Sequence, residues 1–331
     1  MGEGFGVKMM RGDFRLLVVG GGAIGCLYTA ILSSIGCRVT LLGRPWMIEA
    51  VRRNGLKVHG KISLETRVYE AVSFPSEIKR LEDFSLILLA VKAYQAAEAA
   101  LQVSPIAAAS GAPILCLQNG LGVEGEVAEA LGPLIPVVRG VSFCGAYVEG
   151  PGVIRCTGLG ETLVANKPLR RLARFVDLLR KAGLQARLED SMEAVVWEKT
   201  LVNAGITPFG ALTGLRNGEL LKADGIPEAM AETVREGVRV AEKSRVHLSR
   251  DPVELTFKTA EATAENYNSM LQDLRRGKRT EIDYINGALA RLGGSLGVPT
   301  PLNRLLTKLV KDLEAGRKPE CGISSILQRA F

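Results

Sequence analysis

The sequence predicts an α/β chain, with a doubly wound parallel sheet first and an all-helical part after it. Three observations predict this. Short apolar runs, at 14–19 and 84–91 among others, alternate with helix-like stretches, the pattern of buried parallel strands and their crossover helices. The first run ends in a glycine turn, Gly20-Gly21-Gly22-Ala23-Ile24-Gly25. Beyond Asp190 the strand signals fade and helical periodicity takes over.

Composition narrows the class. At 331 residues the chain is long enough for two cores. The longest strand-like apolar run, 85–91, is too short to span a membrane. The N-terminal stretch lacks the apolar core of a signal peptide, so a cytoplasmic location is expected. Residues 1–12 read as a frayed tail, with Met9 or Met10 as an alternative start. The net charge is +7, but the basic residues are scattered and aromatics are few, so nucleic acid is not the expected partner. The densest basic runs, 275–279 and 170–171, read as solvated surface or as attractors of small anions. Cys26, Cys37, Cys116, Cys144, Cys156 and Cys321 form no C-x-x-C pair, and His59 and His247 are the only histidines; no metal site is expected.

Taken in order, 14–19 is strand one, buried on both faces. Gly20, Gly22 and Gly25 then fit the G-x-G-x-x-G pattern of a Rossmann-type dinucleotide site. Gly20 permits the tight turn, Gly22 the approach of a pyrophosphate, and Gly25 close packing of helix on strand. The N–H groups of Ala23, Ile24 and Gly25 open a helix whose N-terminus favours phosphate. That helix runs over 26–35 and is capped by Gly36. Strand two, 38–42, ends at Gly43-Arg44. An acid here would meet a free ribose 2′-hydroxyl; Arg44 instead suits a 2′-phosphate, which favours NADP(H) over NAD(H). Residues 51–69 read as an irregular pair of strands. Strands at 84–91 and 112–117 follow, and Lys92 and Asn119 fall just past their C-terminal ends, where such sheets bind ligands. A second glycine pattern, Gly120, Gly122 and Gly125, follows the later strand; the first is preferred because it lies at the first strand–helix turn. Glycine-punctuated β segments at 137–148 and 152–165, a basic amphipathic helix at 169–182 and a strand at 184–188 complete a dinucleotide-binding domain, 13–189.

The helical domain, 190–331, opens with a helix at 192–204 that Pro208 and Gly210 are expected to end. Further helices are predicted at 226–246, 253–274, 282–292 and 303–314. Lys199 and Asn203, four apart, share a helix face among apolar neighbours. Desolvation there would lower a lysine pKa and make it a usable proton donor, although on spacing alone a lysine snorkelling from a core helix is the more ordinary reading. Asn266 and Ser269, three apart, share a face of the 253–274 helix. Thr280 and Asp283 have capping-box spacing, which places Glu281 in a helical first turn, stabilising the dipole at the least.

With these residues in view the chain resembles the ketopantoate reductases over nearly its whole length. The resemblance rests on Gly20-Gly21-Gly22-Ala23-Ile24-Gly25, Val91-Lys92-Ala93-Tyr94-Gln95, Gln118-Asn119-Gly120-Leu121-Gly122, Lys199-Thr200-Leu201-Val202-Asn203, Ser269-Met270-Leu271-Gln272-Asp273 and Arg279-Thr280-Glu281-Ile282-Asp283-Tyr284-Ile285-Asn286-Gly287. The chain departs at Thr207-Pro208, where the family often shows Asn-Pro. The resemblance implies NADPH-dependent reduction of 2-dehydropantoate to (R)-pantoate. It makes Lys199 the acid, with Glu281 holding it and binding the substrate hydroxyl. Asn203 would position that hydroxyl, and Ser269, with Asn266 nearby, would bind the carboxylate. Asn119 would place Lys199 and the nicotinamide, and Lys92 would lie near the cofactor or the lysine. A homodimer is the expected assembly. A reductase of another small keto acid and a non-enzymatic NADP(H) sensor are the alternatives. If Arg44 selects the cofactor, Arg44→Ala should erode the preference for NADPH over NADH in steady-state kinetics; an unchanged preference would remove it from that role.

Overall fold

The structure, a computed structural model, describes residues 14–317; the expectations for 1–12 and for Cys321 lie outside them. Strand β1 (Arg15–Val19) is buried at every position; its one charge, Arg15, is paired with Glu70 at 2.6 Å. It leads into α1 (Ala23–Ser34), β2 (Arg38–Leu42), α2 (Pro45–Asn54), β3 (Leu56–Gly60), β4 (Leu64–Thr66) and β5 (Glu70–Val72). Then come β6 (Leu86–Leu89), α3 (Ala96–Ser110), β7 (Ile114–Cys116), α4 (Val123–Leu131) and β8 (Val137–Ser142). The sheet part closes with β9 (Gly145–Gly150), β10 (Val153–Gly158), β11 (Thr162–Ala165), α5 (Arg170–Lys181) and β12 (Ala186–Glu189).

Eight strands form the main sheet in the order β12-β11-β8-β7-β6-β1-β2-β5. Every neighbouring pair is parallel except β11 with β8. The strand order reverses between β1 and β6, which opens a crevice at their C-terminal ends. A second sheet, β4-β3-β10-β9, packs over α1. Helix α1 is thus enclosed between two sheets, which is why its sequence is apolar on nearly every face. The predicted strand pair at 51–69 is partly corrected: 56–60 and 64–66 do pair antiparallel, but 51–54 belong to α2. Pro45 opens that helix, Met47, Ile48 and Val51 bury one face of it, and Gly55 at φ +79° ends it.

The helical part contains α6 (Met192–Thr213), α7 (Asn217–Leu220), α8 (Ile226–Lys243), α9 (Pro252–Ala262), α10 (Ser269–Arg275), α11 (Asn286–Leu296) and α12 (Pro301–Glu314). Helix α6 is its axis and packs against α8, α9, α10 and α12. Contrary to expectation, it continues through Pro208 to Thr213, where Gly214 caps it. A proline inside a helix strips the carbonyl four residues back of its donor. That carbonyl, on Ala204, receives the buried Asn286 side-chain amide at 3.2 Å instead.

Two other predicted helices are divided. The 253–274 stretch breaks at 263–268, where the carbonyls of Ala264 and Asn266 accept from Gly218 and Asn217, and the Asn268 side chain caps α10. Asn266 and Ser269 therefore do not share a helix face. The 282–292 stretch begins as a short 3₁₀ turn, Ile282–Tyr284, before α11. No capping box forms there. Thr280 gives its hydroxyl and its amide to Glu314, and Asp283 pairs with Arg279 and Lys311. Glu281 precedes the turn, with its carboxylate directed at the sheet part.

The two glycine patterns are physically different. Gly20 adopts φ +121°, and a Cβ there would lie 2.8 Å from the Ala90 carbonyl. A Cβ on Gly25 would lie 1.9 Å from the Gly20 oxygen. A Cβ on Gly125 would meet nothing within 4 Å. Gly25→Ala should therefore cost about 1–3 kcal/mol or more in thermal or denaturant unfolding, as overpacking does. Gly125→Ala should be neutral or stabilising by up to about 1 kcal/mol, because alanine is the better helix former.

Candidate active site

The crevice is built by loops leaving β1, β6 and β7. At the first, Gly20 donates to the Leu42 carbonyl at 2.8 Å, which ties the glycine turn to the end of β2. Gly22 caps α1, and its Cβ position is open, the nearest atom being the Ala90 oxygen at 3.9 Å. Helix α1 has no side-chain cap and no acid in its first turn, so its N–H groups are left for an anion. The cradle Gly20, Gly21, Gly22, Ala23, Ile24 and Gly25 thus fits a dinucleotide pyrophosphate. Arg44 is exposed and follows Gly43, whose Cβ position is 3.1 Å from the Gly21 Cα. It stands beside the same turn.

Glu281 is the junction of the two halves. It is 7% exposed, and Oε1 accepts the Ala93 amide at 3.0 Å while Oε2 accepts the Asn119 side-chain amide at 3.1 Å. Lys92 stands 3.8 Å from Glu281 Oε2 and 2.5 Å from Asp273 Oδ2. Burial alone would pull the Lys92 ammonium down, but Glu281 and Asp273 outweigh it and hold the pKa above the ordinary lysine value. Burial raises the Asp273 carboxyl against the opposing pull of Lys92. The loop after β7 is held to the same half, with Leu121 donating to the Tyr284 carbonyl at 2.9 Å. A Cβ on Gly120 would lie 2.3 Å from that oxygen, so this glycine serves the contact between halves.

Lys199, on α6, donates to the Ser142 carbonyl at 2.6 Å and lies 5.4 Å from the Phe143 ring centre. Burial, reinforced by the Arg139 charge and opposed by Glu281 and Cys144, lowers its pKa to about 8. Arg139 is buried on β8 and donates to the carbonyls of Gln118 at 2.7 Å and Gly120 at 3.0 Å. Asn203 follows one turn along α6. Ser269 opens α10, which packs on α6, and Asn266 lies in the preceding break. The side chains of Asn203, Asn266 and Ser269 make no hydrogen bond among the described residues.

The structure draws Glu281, Asn119, Lys92 and Asp273 together at the junction of the two halves, with Lys199 within reach of the Glu281 charge. Ser142, not Glu281, holds Lys199 in this arrangement; Glu281 acts on it through charge. Asn119 places Glu281 rather than Lys199. Lys92 is fastened between two carboxylates. Sequence reasoning passed over Asp273, Ser142 and Arg139. Arg139 did leave a signal, as a lone charge inside the strand run Val137-Val138-Arg139-Gly140-Val141.

A family model described as ketopantoate reductase PanE/ApbA matches residues 16–168, and one for the C-terminal part of that family matches 191–314. The chain is 35% identical to the 2-dehydropantoate 2-reductase of Pyrococcus abyssi over 304 residues, covering 91% of this chain and 98% of that protein. It is 34% identical to the enzyme of that name from Archaeoglobus fulgidus over 306 residues, with 91% and 98% covered. Among solved structures it is similar to a PanE/ApbA family ketopantoate reductase from Ralstonia eutropha JMP134, with TM-score 0.83, 31% identity and 92% and 99% of the two chains covered. It is also similar to D-mandelate dehydrogenase in complex with NADH and anilino(oxo)acetate, with TM-score 0.82, 27% identity and 92% and 99% covered.

The lowered lysine sets a pH dependence. A reaction that takes a proton from Lys199 needs its charged form, which is depleted as pH rises through about 8. A pH profile of kcat/KM should fall above that value. Arg139→Met removes one of the two lowering influences and should move the fall to higher pH.

Proposed function

The chain belongs to the ketopantoate reductase family and is an oxidoreductase that reduces 2-dehydropantoate in the route to pantothenate; we propose that it forms (R)-pantoate with NADPH, using Lys199 as its proton donor. What supports this mechanism is an open glycine cradle together with a buried lysine whose pKa is drawn to about 8 and which feels the charge of Glu281.

When bound, the nicotinamide supplies a hydride to the ketone carbon. The protein must then protonate the oxygen as it gains charge. A lysine ammonium has three donors. One is committed to the Ser142 carbonyl, and this fixes the direction of the others. One of those hydrogen-bonds the ketone oxygen and is surrendered to it. Burial lowers the cost of that transfer by favouring the neutral amine. Glu281, fixed by Ala93 and Asn119, keeps lone pairs for the substrate hydroxyl, and Asn203 approaches the same group. Ser269, with Asn266, binds the carboxylate. Arg44 pairs with the cofactor 2′-phosphate. Lys92 holds Asp273 and Glu281 in place rather than touching the reacting atoms. The division near Asp190, into a cofactor domain and a substrate domain, is supported by the end of β12 at Glu189 and the start of α6 at Met192. Among the described residues no helix is long and apolar enough to cross a membrane.

The likeness to D-mandelate dehydrogenase with NADH favours one competing function, reduction of a bulkier 2-keto acid with NADH. Rates with NADPH and NADH across ketopantoate, benzoylformate and smaller keto acids separate the two. A preference for benzoylformate or NADH would overturn the present assignment. Lys199→Ala is expected to lower kcat by about 10²–10⁴-fold, as loss of a general acid does. Its NADPH affinity, measured by fluorescence titration, should be nearly unchanged. A variant with near-parent turnover would show that the proton comes from elsewhere.

A further inference from the structure

We propose that Lys278, carried by the helical half, is a second ligand of the cofactor 2′-phosphate and shares it with Arg44 across the crevice. This rests on the assignment of NADPH to the glycine cradle.

The first observation is placement. The Lys278 amide donates to the Asp273 carbonyl at 2.9 Å, and the Asp273 carboxylate holds Lys92 at 2.5 Å. Lys92 lies two residues past Ala90, whose carbonyl lies against Gly20. The turn through Gly277, at φ +62°, is therefore tied through Asp273 to Lys92, in the loop that leaves β6 beside the glycine turn. Arg276 fastens the same turn to the small sheet beside α1 by donating to the Val148 carbonyl at 3.1 Å.

The second observation is charge. This chain pairs many of its surface cations, for example Arg52 with Glu77 and Arg155 with Glu149. Arg44, Arg276 and Lys278 have no carboxylate partner among the described residues. The nearby carboxylates of Asp273 and Glu281 are already engaged by Lys92. Burial and the Arg276 charge draw the Lys278 ammonium below the ordinary lysine value, with Arg44 and Lys92 adding to the effect and Asp273 opposing it. Arg44 and Lys278 thus repel one another across the two halves, a cost that an anion between them would offset.

The third point is which anion. The pyrophosphate belongs to the N-terminus of α1 and the Gly22 backbone. Arg44 lies at the end of β2, where the ribose 2′-position falls in such folds. A phosphate monoester there carries nearly two charges, more than one guanidinium neutralises. Lys278 supplies the second cation. Of the two readings left open for the basic run 275–279, anion binding is thereby chosen for Lys278.

The test is direct titration of NADPH and NADH into the parent, Lys278→Ala, Lys278→Arg, Arg44→Ala and the double variant. Lys278→Ala should weaken NADPH about tenfold, in line with loss of a charge-assisted contact, and leave NADH unchanged. Lys278→Arg should retain the parent preference. The double variant should lose less than the product of the single effects, because both cations act on one group. A folded Lys278→Ala protein with parent affinity for NADPH would overturn the proposal, as would equal weakening of NADPH and NADH. A parent protein without preference for NADPH would instead refute the underlying cofactor assignment, and this proposal with it.

Discussion

The carboxylate of Glu281 is the constraint on which the site depends. It is buried where sheet and helices meet, and its oxygens are taken by the Ala93 amide from the loop after β6 and by Asn119 from the loop after β7. A buried carboxylate left without donors would cost several kcal/mol. The relative position of the halves is therefore bound to these contacts. Lys92 and Asp273 extend the arrangement, so that a lysine of the sheet part answers two acids of the helical part. Charge balance and geometry are settled by the same few groups.

Two helices carry that constraint to the reacting atoms. Helix α1 has its N-terminus at the glycine turn and its body clasped between two sheets, so the cradle is held by packing on both sides. Tyr28 within it meets Ser142 at 2.9 Å, and the Ser142 carbonyl in turn holds Lys199. Helix α6 bears Lys199 and Asn203 on one turn, and it is kept continuous past Pro208 by Asn286. Asn286 stands five residues after Glu281, so the segment that closes the junction also repairs the helix that bears the lysine. These connections explain how a site assembled from distant parts of the chain remains ordered.

Much of the chain was legible from local pattern. The buried strands announce themselves as apolar runs, because a parallel sheet covered on both faces favours apolar side chains on both. The glycine turn is legible because no other residue accommodates the Gly20 conformation or the Gly25 contact. Arg44 is legible from its place at the end of β2. Lys199 and Asn203 are legible as a pair from helical spacing, and the resemblance to a family supplies expected roles that spacing cannot.

What the tertiary structure alone decided are the partners. Proline at 208 reads locally as a stop, and what makes it harmless is the side chain of Asn286, 82 residues from the Ala204 carbonyl that it satisfies. The 253–274 periodicity continues across a break that exists because α7 claims its carbonyls. Glu281 sits inside a capping-box spacing formed by Thr280 and Asp283, yet its donors come from loops 188 and 162 residues distant. Arg139 and Asp273 matter because folding buries their charge beside Lys199 and Lys92. Periodicity and turn chemistry are local, and the sequence alone determined what depends on them. Hydrogen-bond satisfaction and desolvation are properties of the packed interior, and only the folded chain decides them.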